Sequence, residues 1–239
     1  MVTKNQLKQI LKLKQKKQRM AQGLFVAEGE KTVGEFLAAS WQCKSLFTLE
    51  NYFHSKAVKI SQTEMNKITH FKNSGPILGV FEIPKPKIIK ETPITFVVDS
   101  VKDPGNLGNI IRLCDWFGIN ELICSSNTVD CFNSKTVQAS MGSLARVTCN
   151  YKKDITKHLE SLNKPVFGAD SSGVSIYSTK LPKFASYVFG SESHGISQKV
   201  KNLLESKLSI PNFRKEKRAE SLNVASATAI FLSEIFRDT

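Results

Sequence analysis

The sequence predicts an α/β protein in two parts: a small basic α/β unit, then a larger domain built on a parallel sheet with helices on both faces. Three observations predict it. Downstream of residue 90, short apolar runs of strand length alternate with helical patterns, as in a mostly parallel sheet covered on both sides. Residues 83–93, IPKPKIIKETP, place three prolines between structured stretches and read as an extended linker. The charge is also uneven. Residues 1–90 hold 16 basic and 6 acidic side chains, whereas residues 91–239 hold 18 and 15. The expected domains are therefore 1–90 and 91–239.

In chain order, a lysine-rich helix occupies the first twenty residues, with Leu7, Ile10 and Leu11 as a narrow apolar stripe. A short strand, LFVA, starts at Leu24; a helix is expected over 31–39 and strands near 45–49 and 77–83. Downstream come the strand ITFVVD, a helix over 108–117, the strand ELIC and a helix over 134–141. PVFGAD, YVFG, a helix near 197–204, the strand KLSI and a final helix over 222–236 complete the pattern. Ligands in such folds collect beyond the carboxyl ends of the strands.

At 239 residues the chain is long enough for a sizeable core without disulfides. Its five cysteines are odd in number and include no C-x-x-C pair or Cys/His cluster, which points to free thiols and away from structural zinc. No metal site is expected. No apolar run approaches the roughly 18 residues that span a bilayer, and residues 1–20 lack the apolar stretch of a secretory signal. A cytoplasmic protein with no membrane partner is the expectation.

The net charge of +13 is concentrated where Lys4, Lys8, Lys12, Lys14, Lys16, Lys17 and Arg19 precede the first acid, Glu28. Such a field attracts polyphosphate through counterion release. Lys12, Lys16, Lys17 and Arg19 are the candidate nucleic-acid contacts; the alternative is a solvated helix face.

Three polar segments follow apolar strands, the first two of them glycine-bearing. The first, residues 99–118 (DSVKDPGNLGNIIRLCDWFG), turns at Pro104 and Gly105 and presents Arg112 just over a turn beyond Asn106. Arg112 is either a surface arginine between core residues or a phosphate-facing group. The second, residues 189–197 (FGSESHGIS), surrounds Glu192 with small residues that let a ligand approach the backbone. It is neither a G-x-G-x-x-G fingerprint nor a G-x-S-x-G elbow, and the adjacent Ser193 and His194 are not spaced as a nucleophile and its base. The third runs from Ile210 and Pro211 through a charged stretch to SLNVASATAIFLSEIF, with Ser221 as the expected N-cap and Asn223 as a cap partner or a ligand contact.

Taken in order, these segments resemble the SpoU/TrmH family of RNA ribose 2′-O-methyltransferases. Residues 103–112 match the family's D-P-x-N-x-G-x-I-x-R, residues 190–195 its G-x-E-x-x-G, and residues 210–211 and 221–224 its I-P and S-L-N-V. FVAEGEK at 25–31 is similar to the start of the substrate-binding domain that many members carry.

The resemblance implies a catalytic domain with a C-terminal trefoil knot, a small α/β (L30e-like) RNA-binding domain before it, and a homodimer with its active site at the interface. It implies S-adenosylmethionine as methyl donor, bound by Gly190, Gly195, Ile210, Pro211 and Leu222. It places Arg112, Asn106, Glu192, Ser221 and Asn223 around the reacting ribose, with Arg112 reaching across from the other subunit. Ribosomal RNA is expected ahead of transfer RNA. The family assigns the 2′-hydroxyl proton to the motif-one arginine. A guanidinium is effectively always protonated, so Arg112 is read instead as holding a phosphate and stabilising negative charge on the 2′-oxygen. One departure stands out: Asn212 replaces the family's methionine, and FRKEKRAE is longer than the usual link and lacks its glycine. A noncatalytic RNA-binding or ribosome-assembly protein on the same fold is the alternative.

Overall fold

A computed structural model describes residues 1–50, 54–85, 92–213 and 221–237. The chain forms two compact units. One comprises Met1–Lys85 with Asp130–Ala145, the other Pro86–Val129 with Arg146–Thr239.

In the first unit, Thr3 caps α1 (Lys4–Lys12) through a capping box with Gln6. The expected single basic helix is broken: Leu13 is fully buried, and α2 (Lys16–Gln22) restarts beyond it and stops at Gly23, whose φ of 63° suits a residue without a Cβ. β1 (Leu24–Glu28), α3 (Glu30–Ala38), β2 (Cys43–Thr48), β3 (Val58–Lys59), α4 (Gln62–Ile68) and β4 (Ile77–Glu82) follow. The sheet order is β1-β4-β2-β3, with β4 antiparallel to both β1 and β2. Phe25, Phe36, Trp41 and Phe81 pack as an aromatic cluster against it.

The second unit opens with β5 (Ile94–Asp99), α5 (Pro104–Trp116) and β6 (Glu121–Ser125). The chain then supplies α6 (Ser134–Ser140) and a short 3-10 turn (Ser143–Ala145) to the first unit. It resumes with β7 (Thr148–Lys152), α7 (Ile155–Ser161), β8 (Val166–Ser175), β9 (Ala185–Gly190), α8 (Gln198–Lys201), β10 (Ser206–Ser209) and α9 (Val224–Ile235). All six strands are parallel, in the order β10-β8-β9-β5-β6-β7. Leu159 of α7 and Val200 of α8 pack with Val97, Ile123 and Val188 of the sheet. Phe231 of α9 meets Phe189 edge-on, and Phe189 in turn stacks on Phe96. Helices thus cover both faces.

Three further sequence expectations are corrected. Asp130–Ala145 packs with the N-terminal unit, although the linker reading left it in 91–239. Phe132 lies 5.0 Å from Phe25, and His70 joins Ser134 Oγ through Nδ1 (2.6 Å) and the Ile10 carbonyl through Nε2 (2.8 Å). Arg19 is 2% exposed and faces inward: Nε and Nη2 donate to Asp130 Oδ2 (2.9 and 2.5 Å), and Nη1 donates to the carbonyls of Leu13 and Lys14. It is therefore not an RNA contact, because its donors are spent on a buried carboxylate and on closing the α1–α2 break. Finally, Ser221 does not cap the last helix. Asn223 does, its side chain accepting from the Ala225 and Ser226 amides, so α9 starts two residues later than expected.

Candidate active site

Because every strand of the six-stranded sheet runs the same way, β5, β9 and β10 end on one edge. Asp99 pairs in register with Gly190, which sets the turn after β5 beside the loop after β9. Asp103 caps α5 by accepting from the Asn106 amide at 2.8 Å, with Pro104 at the first helical position, and this fixes Asn106 in the first turn.

Asn106 joins all three sequence segments. Its Nδ2 donates to Glu192 Oε1, and its Oδ1 accepts from Asn223 Nδ2 at 2.8 Å. Asn223 can reach it because the same Oδ1 that caps α9 leaves Nδ2 free to point outward. A carboxamide, a carboxylate and a second carboxamide from positions 106, 192 and 223 thus form one hydrogen-bonded chain. Its outer atoms can bind hydroxyls and amides of a polar ligand.

The loop carrying Glu192 is a tight hairpin. Ser191 N donates to the Gly195 carbonyl (3.1 Å) and Gly195 N to the Ser191 carbonyl (2.8 Å). A Cβ on Gly190 would lie 2.0 Å from the Gly195 carbonyl carbon, so only glycine allows this closure. Gly195 has φ +64°, and nothing lies within 4 Å of where its Cβ would be. Asp99, 3% exposed, anchors the far end of the loop by accepting from Ser197 N at 2.9 Å. Ser100, at φ 62°, turns the chain out of β5 and donates its amide to Ser125 Oγ.

The side chains expected at the donor pocket suit a ligand with an apolar ring and polar ends. Ile210 and Pro211 are half-buried just beyond β10, and Leu222 is 51% exposed just before α9. With the open space at Gly195, they present apolar surface and backbone polar groups at the same sheet edge. That set of groups fits S-adenosylmethionine. Arg112 and Ser221 are exposed and do not join the hydrogen-bonded trio; among the described residues Arg112 has no hydrogen bond or ion pair. Lys12, Lys16 and Lys17 are exposed on the first unit. Arg214, Lys215, Lys217 and Arg218, the basic residues of the long link, lie outside the described residues. Among the described residues no three His, Cys, Asp or Glu side chains gather as a metal site, and no helix is long and apolar enough to cross a membrane.

Sequence reasoning missed the anchoring role of Asp99, whose signal was an acid closing an apolar strand, and the hydrogen bond between Ser193 Oγ and His194 Nδ1 (2.7 Å).

Known proteins share this architecture. Residues 93–233 match the SpoU rRNA Methylase family, and residues 4–79 the MRM3-like substrate binding domain. The chain is 27% identical to the 23S rRNA (guanosine(2553)-2′-O)-methyltransferase RlmP of Bacillus subtilis, over 96% of this chain and 95% of that protein. It is 28% identical to the 23S rRNA (guanosine-2′-O-)-methyltransferase RlmB of Neisseria meningitidis, over 62% of this chain and 60% of that one. Among solved structures, one from Porphyromonas gingivalis, assigned to the TrmH family of RNA methyltransferases, superposes with a TM-score of 0.89, 35% identity and full coverage of both chains. The AdoMet-bound rRNA methyltransferase of Sinorhizobium meliloti superposes with a TM-score of 0.85 and 29% identity, covering 99% of this chain and 96% of that one.

Proposed function

The chain belongs to the SpoU rRNA methylase family, and from that premise we propose that it methylates a ribose 2′-hydroxyl of RNA, with S-adenosylmethionine as donor and ribosomal RNA as substrate. The observation that carries the reading is the hydrogen-bonded chain Glu192–Asn106–Asn223, which draws the three family motifs into one place within a single subunit. The full-length similarity to RlmP, named as a 23S rRNA 2′-O-methyltransferase, supports ribosomal RNA.

The donor, when bound, supplies a methyl group made electrophilic by a sulfonium, so no metal is needed in this reading. What remains for the protein is alignment and proton handling. Gly190 and Gly195 hold the loop closed while Ile210, Pro211 and Leu222 cover the donor. Asn106, Asn223 and Ser221 orient the ribose, with Glu192 fixing the Asn106 amide. Arg112 binds a neighbouring phosphate and stabilises negative charge on the 2′-oxygen. It does so from the other subunit of a homodimer, which is consistent with its having no hydrogen bond to the trio among the described residues of one chain. The knotted C-terminal part belongs to the same proposal, as does a cytoplasmic location. Residues 1–90, with Lys12, Lys16 and Lys17, present the RNA, whose 2′-hydroxyls A-form helices expose in the shallow groove; residues 91–239 carry out the transfer.

Calorimetric titration with S-adenosylmethionine, followed by mapping of 2′-O-methyl positions in RNA from cells with and without the protein, tests this reading. Donor binding and one lost ribosomal methyl mark are expected. Absence of donor binding would leave an RNA-binding or ribosome-assembly protein on the same fold.

A further inference from the structure

Lys44 interrupts the ladder of the first unit's sheet. Cys43 of β2 faces Phe81 of β4 and Ser45 faces Val80, so Lys44 between them is the extra residue of a β-bulge. Bulges re-aim a side chain, and here Lys44 Nζ meets Glu82 Oε1 of β4 at 2.6 Å. The pair is half-exposed, where an ion pair adds little stability. It lines a cleft of about 510 Å³, a volume within the span of small-ligand pockets. Leu24 and Val80, both buried, give the cleft apolar surface, and Gln9 of α1 and Gln22 of α2 line it too. Gln9 Nε2 donates to Gln22 Oε1 at 3.1 Å, and Gln22 Nε2 to Gln18 Oε1 at 3.4 Å. Among the described residues Gln9 Oε1, Glu82 Oε2 and the second N–H of each amide have no partner. Donors and acceptors thus alternate beside apolar surface, which is what a flat ring with a polar edge requires.

We propose that this cleft holds one unpaired guanine of the RNA, a second point of recognition besides the reacting nucleotide. This rests on the RNA methyltransferase reading and deepens it by naming what the first unit reads. Charge decides which part of a nucleotide enters. The 16 basic against 6 acidic side chains of residues 1–90 draw the RNA backbone, whereas the cleft holds a carboxylate and its ion pair sums to zero. A phosphate is repelled there and an uncharged base is not. Unpaired bases are read on their Watson–Crick edges. Guanine sets two adjacent donors, N1–H and N2–H, beside the acceptor O6, so the donors suit Glu82 and O6 suits Lys44. Adenine and cytosine would turn a ring-nitrogen lone pair toward the carboxylate, and uracil a carbonyl. Gln9 and Gln22 offer their remaining amide atoms to the other edge of the base or to its ribose.

The test is titration of the full-length protein, at several salt concentrations, with a ribosomal RNA fragment spanning the methyl mark lost without the protein. Each unpaired guanine is replaced in turn by an abasic nucleotide or by inosine. One abasic replacement should weaken wild-type binding about tenfold or more, the scale of one well-read base, and inosine, which lacks the N2 amino group, should cost part of that. E82Q, and the swapped pair K44E/E82K that keeps both charges, should bind the intact and abasic fragments nearly alike while melting as wild type does. Q22A should weaken binding with its salt slope unchanged, because no phosphate contact is removed. The proposal is overturned if no single guanine matters, or if its removal costs E82Q and the swapped pair as much as wild type. A Q22A variant that weakens every fragment equally and lowers the salt slope would also overturn it, by marking the cleft as a backbone contact. A wild-type protein that binds no RNA would remove the parent reading as well, which the wild-type titration alone reveals.

Discussion

Arg112 is exposed on α5 with no hydrogen bond or ion pair among the described residues, and the geometry asked of it is that of a planar fork on phosphate rather than of a point charge. Arg112→Lys should therefore lower single-turnover transfer at least about tenfold, or about 1.4 kcal/mol of lost transition-state stabilisation, with donor affinity intact by calorimetry. Near-wild-type turnover would contradict that role. His70 gives a second residue-level prediction, about stability. Burial, reinforced by the Lys14 and Arg19 charges, pushes its imidazole down to about 4 against the pull of the Ile10 carbonyl. Between that value and the ordinary 6.5 only the unfolded chain takes up the proton, so the first unit gains stability as pH rises through this window. It should lose up to about 3 kcal/mol as pH falls through it. Glu28, whose carboxyl burial raises despite bonds from Thr69 and His70, acts in the opposite sense and offsets part of the loss. Amide exchange of the first unit between pH 7 and 4 should show the decline, and His70→Gln should flatten it.

At the scale of elements, the hairpin after β9 makes the sharpest prediction. Gly190→Ala drives a methyl into the Gly195 backbone, so the loop must open, and donor binding measured by calorimetry should be lost while β9 and the sheet remain folded. Gly195→Ala meets no atom and incurs only the left-handed backbone cost, about 1–2 kcal/mol. The elements legible in the sequence were those with a strong apolar period or a motif: β5, α5, β6, β9 and α9 all lie close to where the pattern put them. β7, reading TCNYK with every residue only half-buried, has no apolar signature because it sits at the sheet edge. The seven-residue α4 is too short to show one. Ser221 and Asn223 are both good cap formers, and only the backbone turn decides between them. Motif spacing singled out Asn106, Glu192 and Asn223, and the fold joins these three by hydrogen bonds. Arg19 was misread because a run of cations cannot show which one turns inward toward an aspartate at position 130.

For the whole molecule, charge and packing separate cleanly. Replacing Lys12, Lys16 and Lys17 together by Glu should weaken RNA binding and reduce its salt slope by up to about 0.7–0.9 for each phosphate no longer neutralised. Arg19→Gln should act on stability instead, costing about 3–5 kcal/mol because Asp130 stays buried without its partner. Residues 91–239 expressed alone should leave 130–145 without the aromatic and polar groups it packs on, and that segment should exchange its amides rapidly while the six-stranded sheet stays protected. The ion pair and the His70–Ser134 bond thus make the N-terminal unit discontinuous in sequence. Anyone grafting another relative's recognition module onto this catalytic half must transplant two pieces, 1–85 and 130–145. Inheritance of one without the other would be purged, so the two stretches should drift through evolution as a linked pair.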